Sequence, residues 1–139
     1  MPTYSASVEI AAPREAVFPH VAALDAHPSW SVDPIEIERI DDERYRSNVR
    51  AKGKAISAEI HVRERRAPER VVFDVADMTG QWRHTITLTP AENGTRITRT
   101  IEGRLSAKQL ALYLLVVLPI KKPNNRKSLL KLKERVESS

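Results

Sequence analysis

From Ile35 to Ile101 the chain repeats one pattern, short runs with apolar residues at every second position, broken by turn-forming residues. Period two is the signature of a strand with one dry and one wet face. "IEIERI" places Ile35 and Ile37 together. "RYRSNVRA" places Tyr45, Ser47, Val49 and Ala51 on one side. "AISAEIHVRERR" gives Ile56, Ala58, Ile60 and Val62, with Ser57, Glu59, His61, Arg63 and Arg65 outward. "RVVFDVAD" gives Val71, Phe73 and Val75. "QWRHTITLTP" gives Trp82, His84, Ile86 and Leu88, and "TRITRTIEGRL" gives Ile97, Arg99 and Ile101. The linkers "KGK" at 52–54, "APE" at 67–69 and "ENG" at 92–94 are turn signals. Such a series predicts an antiparallel meander.

The flanks predict the remaining elements. "TYSASVEIAA" alternates Tyr4, Ala6, Val8 and Ile10 and reads as a first strand. Pro13 suits the first turn of a helix in which Val17 and Val21 share a face, with Pro19 limiting its regularity. A second short helix is expected over Leu24 to Trp30. "SAKQ" at 106–109 is a capping box that opens a last helix to about Leu118. Pro119 and Pro123 are expected to break or kink it. Resumption is expected near Asn125, where Leu129, Leu132 and Val136 hold one face.

Seven antiparallel strands leave an apolar face that must be covered, and only the last helix is long enough. A curved sheet holding a helix encloses a cavity. The 139 residues suit one domain spanning 1–139, with a core that needs no disulfide or metal. There is no cysteine, which fits a reducing compartment. "MPTYSASVEIAAP" has no basic-then-apolar leader, so a cytoplasmic location is expected, peripheral to a membrane at most.

Several motifs of the chain resemble the START/SRPBCC superfamily. "SVEIAAPREAVFPHVAALDAHPSW" is similar to the family's opening, with Val17-Phe18 on the first helix and Trp30 after the second. "TLTPAENGTRITRT" is similar to its last hairpin and "LLKLKERVE" to its closing helix. The polyketide cyclase/dehydrase-like branch of small bacterial proteins is the nearest in character. The resemblance implies an α+β helix-grip fold, in which Trp30 plugs the mouth of the cavity between Pro28 and Pro34. It also implies either a carrier of a lipid, isoprenoid or polyketide-like molecule, or a cyclase in which an Arg or Tyr polarises a carbonyl.

The inward face is aliphatic apart from Tyr45, Ser47, His84 and Arg99. Across the "ENG" hairpin His84 and Arg99 are expected as diagonal neighbours, roughly 7–8 Å apart. An arginine and a histidine in an apolar pocket can anchor a carboxylate, phenolate or enolate, and a neutral histidine beside a cation can accept a proton. His84, Arg99 and Tyr45 are therefore the catalytic candidates. The ligand-binding candidates are Trp30, Tyr45, Ser47, Phe73, Trp82, His84, Arg99, Tyr113, Leu114 and Val117. The structural alternative pairs Arg99 with Glu102 or Asp77 and leaves His84 as a core residue. Phe73, Trp82 and Tyr113 are large enough to fill the cavity themselves.

The four histidines lack metal-ligand spacing, and no phosphate loop is present, so no metal or cofactor is expected. "RERR" at 63–66 is interrupted by Glu64 and reads as a solvated strand end, which argues against nucleic acid. The charge is informative by its location. Residues 1–120 hold 16 basic and 16 acidic groups, and residues 121–139 hold seven basic and two acidic. The basic end follows "LALYLLVVLPI", Leu110 to Ile120. That run is 11 residues long and too short for a membrane span of about 20. An apolar segment joined to a basic one suits an anionic membrane surface or a second copy of the chain, through Leu110–Arg135.

Overall fold

The computed structural model describes residues 2–51 and 54–138. Strand β1 (Thr3–Ile10) is followed by helix α1 (Arg14–Ala22) and a 3-10 turn (Leu24–Ser29). Six strands follow: β2 (Ile35–Arg39), β3 (Arg44–Ala51), β4 (Lys54–Arg66), β5 (Arg70–Asp77), β6 (Gly80–Ala91) and β7 (Gly94–Arg104). The centre of the "KGK" turn, residues 52 and 53, lies outside the described residues. All neighbours are antiparallel in the order β1-β7-β6-β5-β4-β3-β2. Only β7 leaves the sequential order, by returning to β1. The fold is the expected seven-stranded sheet with a long C-terminal helix, of the α+β helix-grip kind.

Inward positions are those with period two. Tyr4, Val8 and Ile10 are buried on β1, Val71 and Phe73 on β5, Ile86 and Leu88 on β6, and Ile97 and Ile101 on β7. Val17 and Val21, four apart, close one end of the sheet. At the "ENG" turn, Gly94 has φ +152°, and a Cβ there would stand 2.2 Å from the Ile10 carbonyl oxygen. Only glycine fits that crossing of β7 under the end of β1.

A bulge corrects one outward assignment. The register of β4 on β5 shifts between Val62 and Glu64, so the alternation reverses beyond it. Arg65 then pairs with the buried Val71 and turns to the inner side. Its guanidinium donates to the Ala22 and Asp42 carbonyls at 2.9 and 2.6 Å and to the Tyr45 hydroxyl at 2.8 Å.

The C-terminal helix corrects another expectation. It does not break. Helix α2 (Ala107–Leu112), capped by the Ser106–Gln109 box, passes through a π-turn (Tyr113–Val117) into α3 (Leu118–Glu137), for 31 residues in all. Pro119 stands directly after the π segment, inside a helix that continues without a break. The widened turn relieves the clash between its ring and the carbonyl four residues back. Pro123 sits on the exposed side, where a carbonyl that loses its amide partner stays open to solvent.

The two halves of this helix do different work. Asn125, Ser128, Leu129, Leu132 and Val136 bury one face against the sheet. The join is reinforced by polar bonds: Lys133 Nζ donates to the Glu9 carbonyl at 2.8 Å, and Glu137 accepts from the Ala11 amide at 2.8 Å. The first half touches the sheet through Tyr113, which with Val117 and Leu118 packs on Tyr4, Trp82 and Ile101, and the cavity lies under the stretch from Val117 to Ser128.

Leu132 is fully buried in this seam. Leu132→Ala should therefore destabilise the protein by about 2–5 kcal/mol. Urea unfolding should show this as a lower midpoint at unchanged slope, and an unmoved midpoint would contradict the packing.

Candidate functional site

The cavity has a volume of about 160 Å³. Its walls are the inner faces of all seven strands, the 3-10 turn with Ser31 and Asp33 beyond it, and the helix from Val117 to Ser128. Apolar side chains dominate, among them Trp30, Ile60, Phe73, Val75, Trp82 and Ile101.

Trp30 follows the 3-10 turn and is 1% exposed. Its indole N–H donates to the His20 carbonyl at 3.2 Å, which fixes the ring as one wall. His27, three residues earlier, packs its ring 4.6 Å from the indole, and its Nε2 donates to the Val21 carbonyl at 2.9 Å. Burial lowers the His27 pKa to about 3, so the ring is neutral.

Across from Trp30 lies a polar pair. Arg99 Nη2 is 3.3 Å from His84 Nδ1. The register pairs His84 with Ile101 and Ile86 with Arg99, so the residues are diagonal neighbours as expected. Their long side chains bring the polar atoms into contact. The Arg99 guanidinium also lies 5.6 Å over the Trp30 ring. His84 stacks on Phe73 at 4.7 Å. Burial first, and the Arg99 charge second, hold the His84 pKa well below its ordinary value.

The proton positions follow. A guanidinium has donors only, so His84 Nδ1 must accept. The neutral ring then keeps its proton on Nε2. In this state His84 is a hydrogen-bond donor, with its basic lone pair already used.

Arg99 finds neither of the acids suggested by the sequence. Glu102 stands on the other face opposite Arg83, and Asp77 accepts from the Thr79 amide at 2.7 Å. Among the described residues Arg99 has no carboxylate at ion-pair distance, and its Nε is buried without an acceptor. Asn125 Nδ2 donates to the Arg99 carbonyl at 3.2 Å, while its buried Oδ1 has no partner.

Of the residues expected to line the pocket, Trp30, Ser47, Phe73, Trp82, His84, Arg99 and Val117 do so. Tyr45 does not. It is buried, but it points past the cavity to Arg65, which the bulge has turned inward. The trio His84, Arg99 and Tyr45 is therefore not assembled. Tyr113 is also buried elsewhere, 5.5 Å from Trp82 and 6.4 Å from Tyr4, in a cluster beside the cavity. Leu114 is turned to solvent, since it follows Tyr113, which faces the sheet, by one helical step.

Sequence reasoning missed His27, Asp33, Asn125 and Ser128, which also line the space. For Asn125 a signal existed. It precedes Leu129 by four, so helical spacing puts it on the buried face. His27 had a weaker one, its spacing of three from Trp30.

Comparison with known proteins bears on this arrangement. The family model described as polyketide cyclase / dehydrase and lipid transport matches residues 1–137. No curated protein matches the sequence. Among solved structures, a Chromobacterium violaceum protein superposes with a TM-score of 0.77 at 20% identity, over 99% of each chain. A Thermus thermophilus protein gives 0.77 at 23% identity over 99% of this chain and 98% of that one. A conserved Geobacillus kaustophilus protein gives 0.78 at 17% identity over 99% and 97%. At these identities the likeness is one of fold.

The two buried neutral histidines set a pH dependence. The unfolded chain protonates them near pH 6.5 and the folded chain does so only far lower, about pH 3 for His27. Stability should thus fall as pH drops below about 6.5, by up to about 1.4 kcal/mol per pH unit for each ring. Urea midpoints at pH 7, 6 and 5 test this above the carboxylate range. A flat profile would contradict it, and His84→Gln should remove its share of the slope.

Proposed function

The chain belongs to the polyketide cyclase/dehydrase and lipid transport family, of the START/SRPBCC type, and from that premise we propose that it binds a hydrophobic small molecule in the cavity between sheet and helix. One observation carries the reading: an apolar-walled space ends in a fixed polar pair, Arg99 and His84. Ligand pockets have this composition, mostly apolar with a few placed polar groups. Burial is what an apolar ligand gains, at roughly 25 cal/mol per Å². The polar pair sets its orientation.

The same geometry favours anchoring over proton abstraction. His84 presents an N–H and Arg99 a cation, so both stabilise a negative or acceptor oxygen. A general base needs a free lone pair, and the Tyr45 hydroxyl that would assist a cyclase is tied to Arg65.

Freshly purified protein should carry a small-molecule mass in native mass spectrometry, released by organic extraction. Ala58 lines the cavity, and Ala58→Phe should fill it and abolish the adduct while circular dichroism stays native. An adduct that survives the filled cavity would place the ligand elsewhere and sink the reading.

A second reading concerns the helix above the cavity. Leu110, Leu114, Leu115, Val116 and Ile120 are exposed, Leu115 by 79%. Residues 104–133 contain no acidic residue, and Arg104, Lys108 and Lys122 are exposed on this segment. An apolar ridge with only positive charge about it fits an anionic lipid surface, at roughly 1 kcal/mol per basic residue. No helix among the described residues is long and apolar enough to cross a membrane. The protein should pellet with phosphatidylglycerol vesicles at low salt and be released by salt. Leu115→Ser with Val116→Ser should reduce pelleting at least tenfold. Equal pelleting on neutral vesicles would sink the electrostatic part. A dimer in solution that is lost in this double variant would assign the ridge to a second copy.

A further inference from the structure

We propose that the cavity takes a small carboxylic acid in its anionic form, its carboxylate on Arg99 and its apolar body among the apolar walls of β4 to β7, Ile60, Val75, Trp82 and Ile101. This rests on the reading of the cavity as a binding site and names the class of molecule that fits it.

Charge accounting comes first. Four charged side chains line the cavity: Asp33, Asp77, Arg99 and Lys121. Lys121 Nζ lies 3.3 Å from Asp33 Oδ1, and Asn124 donates to the same oxygen at 2.8 Å. Asp77 is occupied by Thr79. That leaves Arg99. It lies against an indole face and a neutral imidazole, and its Nε–H meets no acceptor. A cation taken out of water without an anion is costly, and a carboxylate is the planar, two-oxygen partner that a guanidinium matches best. His84 Nε2–H supplies a further donor beside it.

Size then limits the body. About 160 Å³ is close to the roughly 150 Å³ of an apolar cavity that holds a benzene molecule. A full acyl chain does not fit this state, and a single ring or short branched chain does. The walls suit a flat body. The rings of Trp30, His27, Phe73 and His84 pack on one another, 4.6, 5.8 and 4.7 Å apart in turn, and line the cavity as one aromatic wall.

Isothermal titration at pH 7 with benzoate and with toluene tests the class. Wild-type protein should bind benzoate at least about tenfold more tightly than toluene, the worth of one charge-assisted hydrogen bond. Arg99→Met should lose that preference and still bind toluene, and Arg99→Lys should keep part of it. If Arg99→Met does not fold, Arg99→Gln and the wild-type comparison decide. Toluene bound as tightly as benzoate by the wild type would overturn the carboxylate and leave the pocket. Absence of binding to both, and to decanoate, would overturn the binding site itself and the proposal with it.

Discussion

A seven-stranded sheet with one apolar face has a single long helix to cover it, and the rest of the molecule follows from how that helix divides. From Asn125 onward its side chains enter the sheet, and hydrogen bonds to β1 hold it there. Before that point it carries a π-turn, two prolines and a row of leucines that face away. Covered area stabilises the fold, while uncovered area becomes the cavity and the exposed ridge above it. The polar latch of Asp33, Lys121 and Asn124 spans the opening where the loop after the 3-10 turn meets the helix.

Inside the cavity, electrostatics and packing are one arrangement. Arg99 is held by rings, with Trp30 on one side and His84, stacked on Phe73, on the other. Aromatic faces and a neutral imidazole stabilise a guanidinium only in part, since none supplies a full negative charge. Burial keeps His84 neutral, the cation adds to that effect, and the contact with Arg99 fixes the proton on Nε2. A buried cation thus turns the neighbouring histidine from a base into a donor. Both groups then serve the same end, holding an oxygen that bears negative charge.

Much of this was legible in the chain. Period-two patterning marked each strand from Ile35 to Ile101, and the hairpin "ENG" set the diagonal of His84 and Arg99. Helical spacing placed Leu129, Leu132 and Val136 on the buried face. The departures have local causes. Arg65 and Tyr45 depend on one extra residue at the bulge between Val62 and Glu64, and a bulge leaves no mark in the alternation until the partner strand is in register. Tyr113 and Leu114 depend on which side of an all-apolar helix meets the sheet, and an apolar run leaves that side unmarked.

The sequence by itself determined the element order, the antiparallel sheet, the helix that covers it and the inward side of most strands, because these follow from hydrophobic periodicity and local turn chemistry. It also confined the excess positive charge to the last helix. Tertiary structure alone decided that Arg99 meets no acid, that Tyr45 leaves the cavity, that Asn125 and His27 enter it, and how much space is left. Those outcomes turn on distances of a few ångströms between side chains far apart in the chain. No local pattern carries such distances, because they are set only when the helix docks on the sheet.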